Sequence, residues 1–298
     1  MNNSYFARAT ALICVLLATF WIFPSSAAPI VVGGKNFTEQ QLMAEMTTQL
    51  LEAKGFTVTK KDGMGSVVLR QAQENGQVDL YWEYTGTSLI TYNKITDRLS
   101  PDEAYQKVKA LDAAKGIVWL NPSKANNTYA FAMNRDAAKQ LGIVTVSDLA
   151  KAIHGGKAFT FACNSEFYAR PDGLHPLEKA YGFEFSRDQI KRMDTGLTYQ
   201  ALKDRQVDIA LVFATDGRVP AFNFVLLKDD KGFFLSYALT PVIRKAVLDA
   251  NPTLGPILNA LSAKLDETTM ARLNASVDVS KKSFSDVARS FLKQAGLI

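Results

Sequence analysis

Apolar residues lie along this chain in three distinct patterns. The first is one unbroken block, ALICVLLATFWIF at 11–23, preceded by the lone basic residue Arg8 and followed by PSSAA. A basic start, an apolar run and a small-residue exit make a secretory signal peptide; a permanent membrane span needs about 20 apolar residues. Residues 1–28 are read as that signal, with cleavage near Ala27 because Pro29 follows Ala28. The second pattern is alternation. A β-branched run at 30–32 leads into Gly33 and Gly34, and Thr38 with Gln41 has the spacing of a helix-opening capping box. Leu42, Met46 and Leu50 recur at helical spacing to about residue 54, and 56–59 reads as a strand. The same alternation predicts a helix at 67–74, a strand at 78–82, a helix at 102–115 and a strand at 117–120. The third pattern is a tail. From Thr240, read as an N-cap with Pro241 at the first helical position, three amphipathic stretches run to Gly296.

Strands alternating with helices predict an α/β fold. About 270 residues outside the signal suffice for two domains of ordinary size. No Pro/Gly/Ser-rich linker separates them, which predicts a chain that passes between its domains more than once. RQAQENGQVDLYWEYTG at 70–86 and YQALKDRQVDIALVFATDG at 199–217 align at an offset of 129, carrying Tyr84 onto Phe213. Short helix–turn–strand units share such residues by chance; the sharper reading is two similar lobes. Each lobe would then offer an aromatic at the carboxyl end of an equivalent strand, where open α/β sheets bind ligands.

Composition narrows the function. The net charge is +5, its basic residues are scattered singly or in pairs, and no basic face with interleaved aromatics predicts nucleic-acid binding. Cys163 is the one cysteine beyond the signal, so no internal disulfide is expected. His154 and His175 have no metal-ligand neighbours at helical or hairpin spacing, and the chain holds no H-E-x-x-H, P-loop or G-x-S-x-G. Neither a metal nor a cofactor is expected. A secreted thiol enzyme using Cys163 and His175 is the alternative from another class; Cys163 at the end of an apolar strand reads first as a small core residue.

The aromatics point elsewhere. Tyr81 and Trp82 alternate on a strand, so one or the other packs in a core, whereas Tyr84 precedes a T-G-T turn. Tyr129, Phe213 and Tyr237 also sit at strand ends. Rings converging from two lobes form a box of π-faces that attracts a cation unable to donate hydrogen bonds, above all a quaternary ammonium.

With these motifs in order, the chain resembles the substrate-binding proteins of ATP-binding-cassette importers for glycine betaine, choline and related osmoprotectants. The resemblance runs from about Val31 to Ile298 through GGKNFTEQ (33–40), YWEYTGT (81–87), NNTYAFAM (126–133), SEFYARPDGL (165–174), MDTGLTYQAL (193–202), FATDGR (213–218), DDKGFF (229–234) and TPVIR (240–244). It implies two α/β lobes, 29–125 plus 237–298 and 126–236, joined by crossings near Asn126 and 231–237, with the ligand in the cleft. It implies a cation cage of Tyr84, Tyr129 and Tyr237, with Phe213 in place of a common tyrosine and Phe167 where the family has a further aromatic. The π-face survives at Phe213; a phenol hydroxyl is lost. Lys35, Thr87 and Arg170 match donors to a ligand carboxylate, and Asn127 in NNTY is a further polar contact. Taken without the resemblance, Arg170 is first a salt-bridge partner with Asp172 in reach, and Lys35 is equally a solvated side chain. The implied protein is a monomeric periplasmic receptor, not an enzyme, that hands a quaternary ammonium compound to a membrane permease with its ATPase subunits. A bulkier betaine such as carnitine or ergothioneine is the alternative ligand, because Phe213 alters the box.

Overall fold

The computed structural model describes residues 28–298, so the segment read as an export signal lies, Ala28 apart, outside the described residues. Two five-stranded sheets carry the fold. Strands β1 (Ile30–Lys35), β2 (Val58–Met64), β3 (Leu80–Tyr84) and β4 (Ile117–Trp119) belong to the first, with β10 (Leu239–Arg244), in the order β2-β1-β3-β10-β4. Strands β5 (Tyr129–Asn134), β6 (Phe161–Cys163), β7 (Ile190–Arg192), β8 (Ile209–Phe213) and β9 (Phe224–Leu226) make the second, in the order β7-β6-β8-β5-β9. The plans coincide. β1 and β6 each pair parallel to two neighbours, while β10 and β5 each run antiparallel to both of theirs. The offset of 129 carries β3 onto β8, and the helix Ser66–Glu74 onto the helix Thr195–Lys203, residue for residue.

Local sequence explains most elements. Every residue of β3 and β8 is buried, which fits central strands covered on both faces. Helix Thr38–Ala53 buries Leu42, Met46 and Leu50, as its spacing predicted, together with Met43 and Leu51. Tyr81 and Trp82 are both fully buried, on alternate sides of β3. Trp82 Nε1 donates to Thr47 Oγ1 at 2.8 Å, and the Tyr81 hydroxyl to Glu83 Oε2 at 2.9 Å.

Three expectations fail. Thr38 does not cap its helix: Phe37 holds the N-cap position, and the Thr38 hydroxyl instead donates to Asp278 on the tail helix Glu267–Asp278 at 2.8 Å. Thr240 and Pro241 open no helix either. They lie inside β10, a buried strand whose Leu-Thr-Pro-Val-Ile run is too short for periodicity to tell from a helix start. Pro241 has no N–H to offer β4, and the Leu120 carbonyl accepts from the Tyr105 hydroxyl at 2.9 Å. The tail beyond holds four helices rather than three: Lys245–Ala250, Leu254–Ser262, Glu267–Asp278 and Phe284–Gln294. Among the described residues no helix is long and apolar enough to cross a membrane.

The chain passes between the sheets along two segments that pair with each other. Asn126 bridges Ala238 antiparallel, Leu239 N donates to the Ala125 carbonyl at 3.0 Å, and Asn127 N donates to the Tyr237 carbonyl at 3.1 Å.

Candidate functional site

The carboxyl ends of β1, β3, β6, β7 and β8 converge with the starts of β5 and β10 on one cavity of about 220 Å³. Open α/β sheets bind ligands in the crevice outside the carboxyl ends of their strands. Tyr84 closes β3, Phe213 closes β8, Tyr129 opens β5, and Tyr237 sits two residues before β10. All four line the cavity, as do Lys35, Thr87, Asn127 and Arg170. Phe167 does not line it: the ring is fully buried behind Tyr129, with centroids 5.1 Å apart.

The rings form a continuous wall. Tyr129 lies 5.2 Å from Phe213, its cross-strand partner, and 5.5 Å from Tyr237 at an interplanar angle of 76°. Phe37, which the sequence reading passed over, completes the wall. It stacks on Phe213 at 5.4 Å and 10°, and on Tyr84 at 6.3 Å and 22°. Gly86 allows Tyr237 to reach the site, since a Cβ there would stand 2.7 Å from Tyr237 Cε1. These faces already meet cations of the chain itself. The Arg170 guanidinium carbon is 5.4 Å from the Tyr129 centroid and 5.8 Å from that of Tyr237, and Lys35 Nζ is 5.0 Å from that of Tyr84.

Both basic groups on the polar side are held by carboxylates. Lys35 is buried, not solvated, and Nζ lies 2.6 Å from Glu83 Oε1. Arg170 forms the salt bridge that local sequence suggested, with Nε and Nη2 donating to Asp172 Oδ1 and Oδ2 at 2.7 and 2.6 Å. Its Nη1 edge reaches Glu166 Oε1 at 3.2 Å and Thr87 Oγ1 at 3.4 Å, and the Tyr237 hydroxyl donates to Asp172 as well. Burial opposes the charge on Arg170, but the Tyr129 and Tyr237 hydroxyls and Asp172 hold its pKa well above the ordinary arginine value. Glu166 also accepts from the Ser66 hydroxyl at 3.1 Å, so it links the first residue of the helix Ser66–Glu74 to the opposite wall.

Behind the aromatic wall sits a second carboxylate that the sequence reading missed. Glu39 is 3% exposed and accepts from the Tyr84 hydroxyl at 2.7 Å and from Asn127 Nδ2 at 2.9 Å on Oε1. On Oε2 it accepts from the Thr215 hydroxyl at 2.6 Å and Asn274 Nδ2 at 3.1 Å. Burial raises its pKa above the ordinary value, and the bonds from Thr215, Tyr84 and Asn274 offset only part of that rise. The one available signal was its place in KNFTEQ, where a glutamate near a helix start reads as a dipole partner.

Cys163 and His175 are not arranged for nucleophilic catalysis. The Cys163 thiol lies in the core with its pKa pushed up by burial to about 12, and His175 Nδ1 pairs with Glu178 Oε2 at 3.0 Å.

Comparison with known proteins gives the family of the chain. The sequence model for the substrate binding domain of ABC-type glycine betaine transport system matches residues 28–294. A glycine-betaine-binding protein of Pseudomonas aeruginosa is 44% identical over 280 residues, covering 92% of this chain and 90% of that protein. The glycine betaine-binding protein YehZ of Escherichia coli is 34% identical over 291 residues, covering 95% of each. A solved structure described as a glycine betaine/carnitine/choline ABC transporter superposes with a TM-score of 0.74 at 30% identity, covering 90% of this chain and 99% of that one. The two-sheet α/β chain belongs to the family of substrate-binding domains of ABC-type glycine betaine transport systems, and its role is that of an importer's substrate receptor.

Proposed function

We propose that the cavity takes a small quaternary ammonium compound carrying a carboxylate, glycine betaine or a close relative, and delivers it to the importer's permease. The observation that carries this is that the ring wall and the Arg170 guanidinium line one small space together. Tyr84, Tyr129, Phe213 and Tyr237, with Phe37 between two of them, offer π-faces to a cation that cannot hydrogen-bond. A space of about 220 Å³ lies below the roughly 300–1,000 Å³ typical of drug-sized ligands. Lys35, Thr87 and Asn127 supply polar contacts. Arg170 spends its Nε and Nη2 edge on Asp172, so a ligand carboxylate takes the Nη1 edge now shared by Glu166 and Thr87.

The lobes are 29–125 plus 237–298 and 126–236, closing about the paired segments at Asn126 and 231–237. The protein is a monomer that performs no bond chemistry. It is exported by residues 1–28 to the periplasm, where the permease and its ATPase subunits complete the importer. Phe213 supports a second reading, a bulkier betaine such as carnitine or ergothioneine, because no hydroxyl projects at that position. Calorimetric titration with glycine betaine, choline, carnitine and ergothioneine tests both. Saturable one-site binding of a trimethylammonium ligand is expected; no binding of any of the four refutes the proposal.

A further inference from the structure

Glu39 is a buried carboxylate in contact with the ring wall, and ligand binding as proposed makes no use of it. Its two oxygens accept from four donors, the pattern of an ionised carboxylate, which only accepts. One of these donors is the hydroxyl of Tyr84, whose ring lines the cavity, while Glu39 itself stays outside it, in the narrow space beyond. A phenol that donates to a carboxylate is polarised: electron density moves from the O–H bond toward oxygen and ring. The face of such a ring is more negative than that of a free tyrosine, and a cation over it is held more strongly. The Tyr84 ring already acts as a cation seat, since Lys35 Nζ lies 5.0 Å from its centroid. Phe213, at the repeat-equivalent position, has no hydroxyl to couple in this way, so the two lobes contribute unequally.

We infer that Glu39 is a specificity-determining residue: through its hydrogen bond to Tyr84 it makes that wall of the cage selective for a permanently positive ligand over a neutral one of the same shape. The inference rests on the aromatic cage proposed for the cavity, and Glu39 acts through Tyr84 without touching the ligand. It is therefore a positioning and polarising residue.

The experiment is a double-mutant cycle read with charged and neutral ligands. Glycine betaine and choline are titrated into the unaltered protein, Glu39→Gln, Tyr84→Phe and the double variant. Displacement by 3,3-dimethylbutan-1-ol, the uncharged carbon analogue of choline, is measured in each. Glu39→Gln is expected to weaken binding of the charged ligand about tenfold, while the neutral alcohol changes less than about twofold. Tyr84→Phe keeps the ring and cuts the link, so it reproduces the loss, and Glu39→Gln adds nothing further in that background. Melting temperature without ligand checks that each variant is folded; should Glu39→Gln fail to fold, Tyr84→Phe alone carries the charged-against-neutral comparison. Equal weakening of charged and neutral ligands, or equal effects of Glu39→Gln in both backgrounds, overturns the inference and leaves the cage standing. Failure of the unaltered protein to bind glycine betaine, choline, carnitine and ergothioneine alike overturns the cage itself.

Discussion

Replacing Arg170 by methionine should unfold the protein more easily before any ligand is considered. The Arg170 side chain is 4% exposed and that of Asp172 is 10% exposed, so the pair is shielded from water. Asp172 receives three donors, Nε and Nη2 of Arg170 and the Tyr237 hydroxyl. Arg170→Met removes two of the three and strands a carboxylate among rings. Breaking a buried ion pair from one side costs about 3–5 kcal/mol. The surviving Tyr237 bond places the expectation at the low end, about 3 kcal/mol. Asp172→Asn alone leaves the guanidinium with Glu166 and Thr87, a partial rescue, so a smaller cost is expected. With both changes neither charge is stranded, and the coupling between them should fall within about 1–3 kcal/mol. Urea unfolding of the ligand-free single and double variants at pH 7 measures all three terms. A cost below about 1 kcal/mol for Arg170→Met, or simple additivity in the double variant, refutes the reasoning: the guanidinium would then be free in the empty protein rather than held for the ligand.

Tyr84→Ala and Tyr237→Ala should each weaken a trimethylammonium ligand by about 1–2 kcal/mol, read by calorimetry, since each removes one wall of the cage. Gly86→Ala should do the same through Tyr237, because the added methyl carbon falls 2.7 Å from Cε1 and drives the ring from its place; an unaltered affinity would show that the ring position does not matter. Burial works against ionised Asp112, yet bonds from Arg70, Trp119 and Asn93 hold its pKa below 3.8. A carboxyl depressed on folding stabilises the fold above its unfolded pKa and loses that contribution as pH falls through the folded one. Stability should therefore drop below about pH 3.8, and Asp112→Asn should flatten that part of the profile in acid denaturation.

Much of the cavity lining was legible because its residues sit at strand ends that local pattern reveals. Tyr84 and Phe213 share an offset that is visible in the sequence by itself, and the topology explains it: β3 and β8 occupy the same place in sheets of the same order. What stayed hidden depends on long-range partners. Nothing near Glu39 announces Thr215 or Asn274, which are brought to it from 176 and 235 residues away. Phe37 reads as the residue before a helix until Phe213 is seen stacked against it. Pro241 misled for a related reason: a proline in an inner strand offers the Leu120 carbonyl no N–H, and the Tyr105 hydroxyl donates to it instead.

The place of β10 also governs the order in which the molecule can be completed. In the first sheet β10 stands between β3 and β4, and among the described residues β4 has no other strand neighbour. Until residue 244 has left the ribosome, the amino-terminal third holds a three-stranded parallel sheet with one edge of β3 open and β4 unattached. Such a nascent chain cannot finish its core early, because the closing strand arrives about 120 residues after β4 and about 155 after β3, the two strands it joins. The delay leaves an unpaired edge exposed to other chains during synthesis. A late-arriving strand therefore sets the earliest point at which the first sheet can be closed.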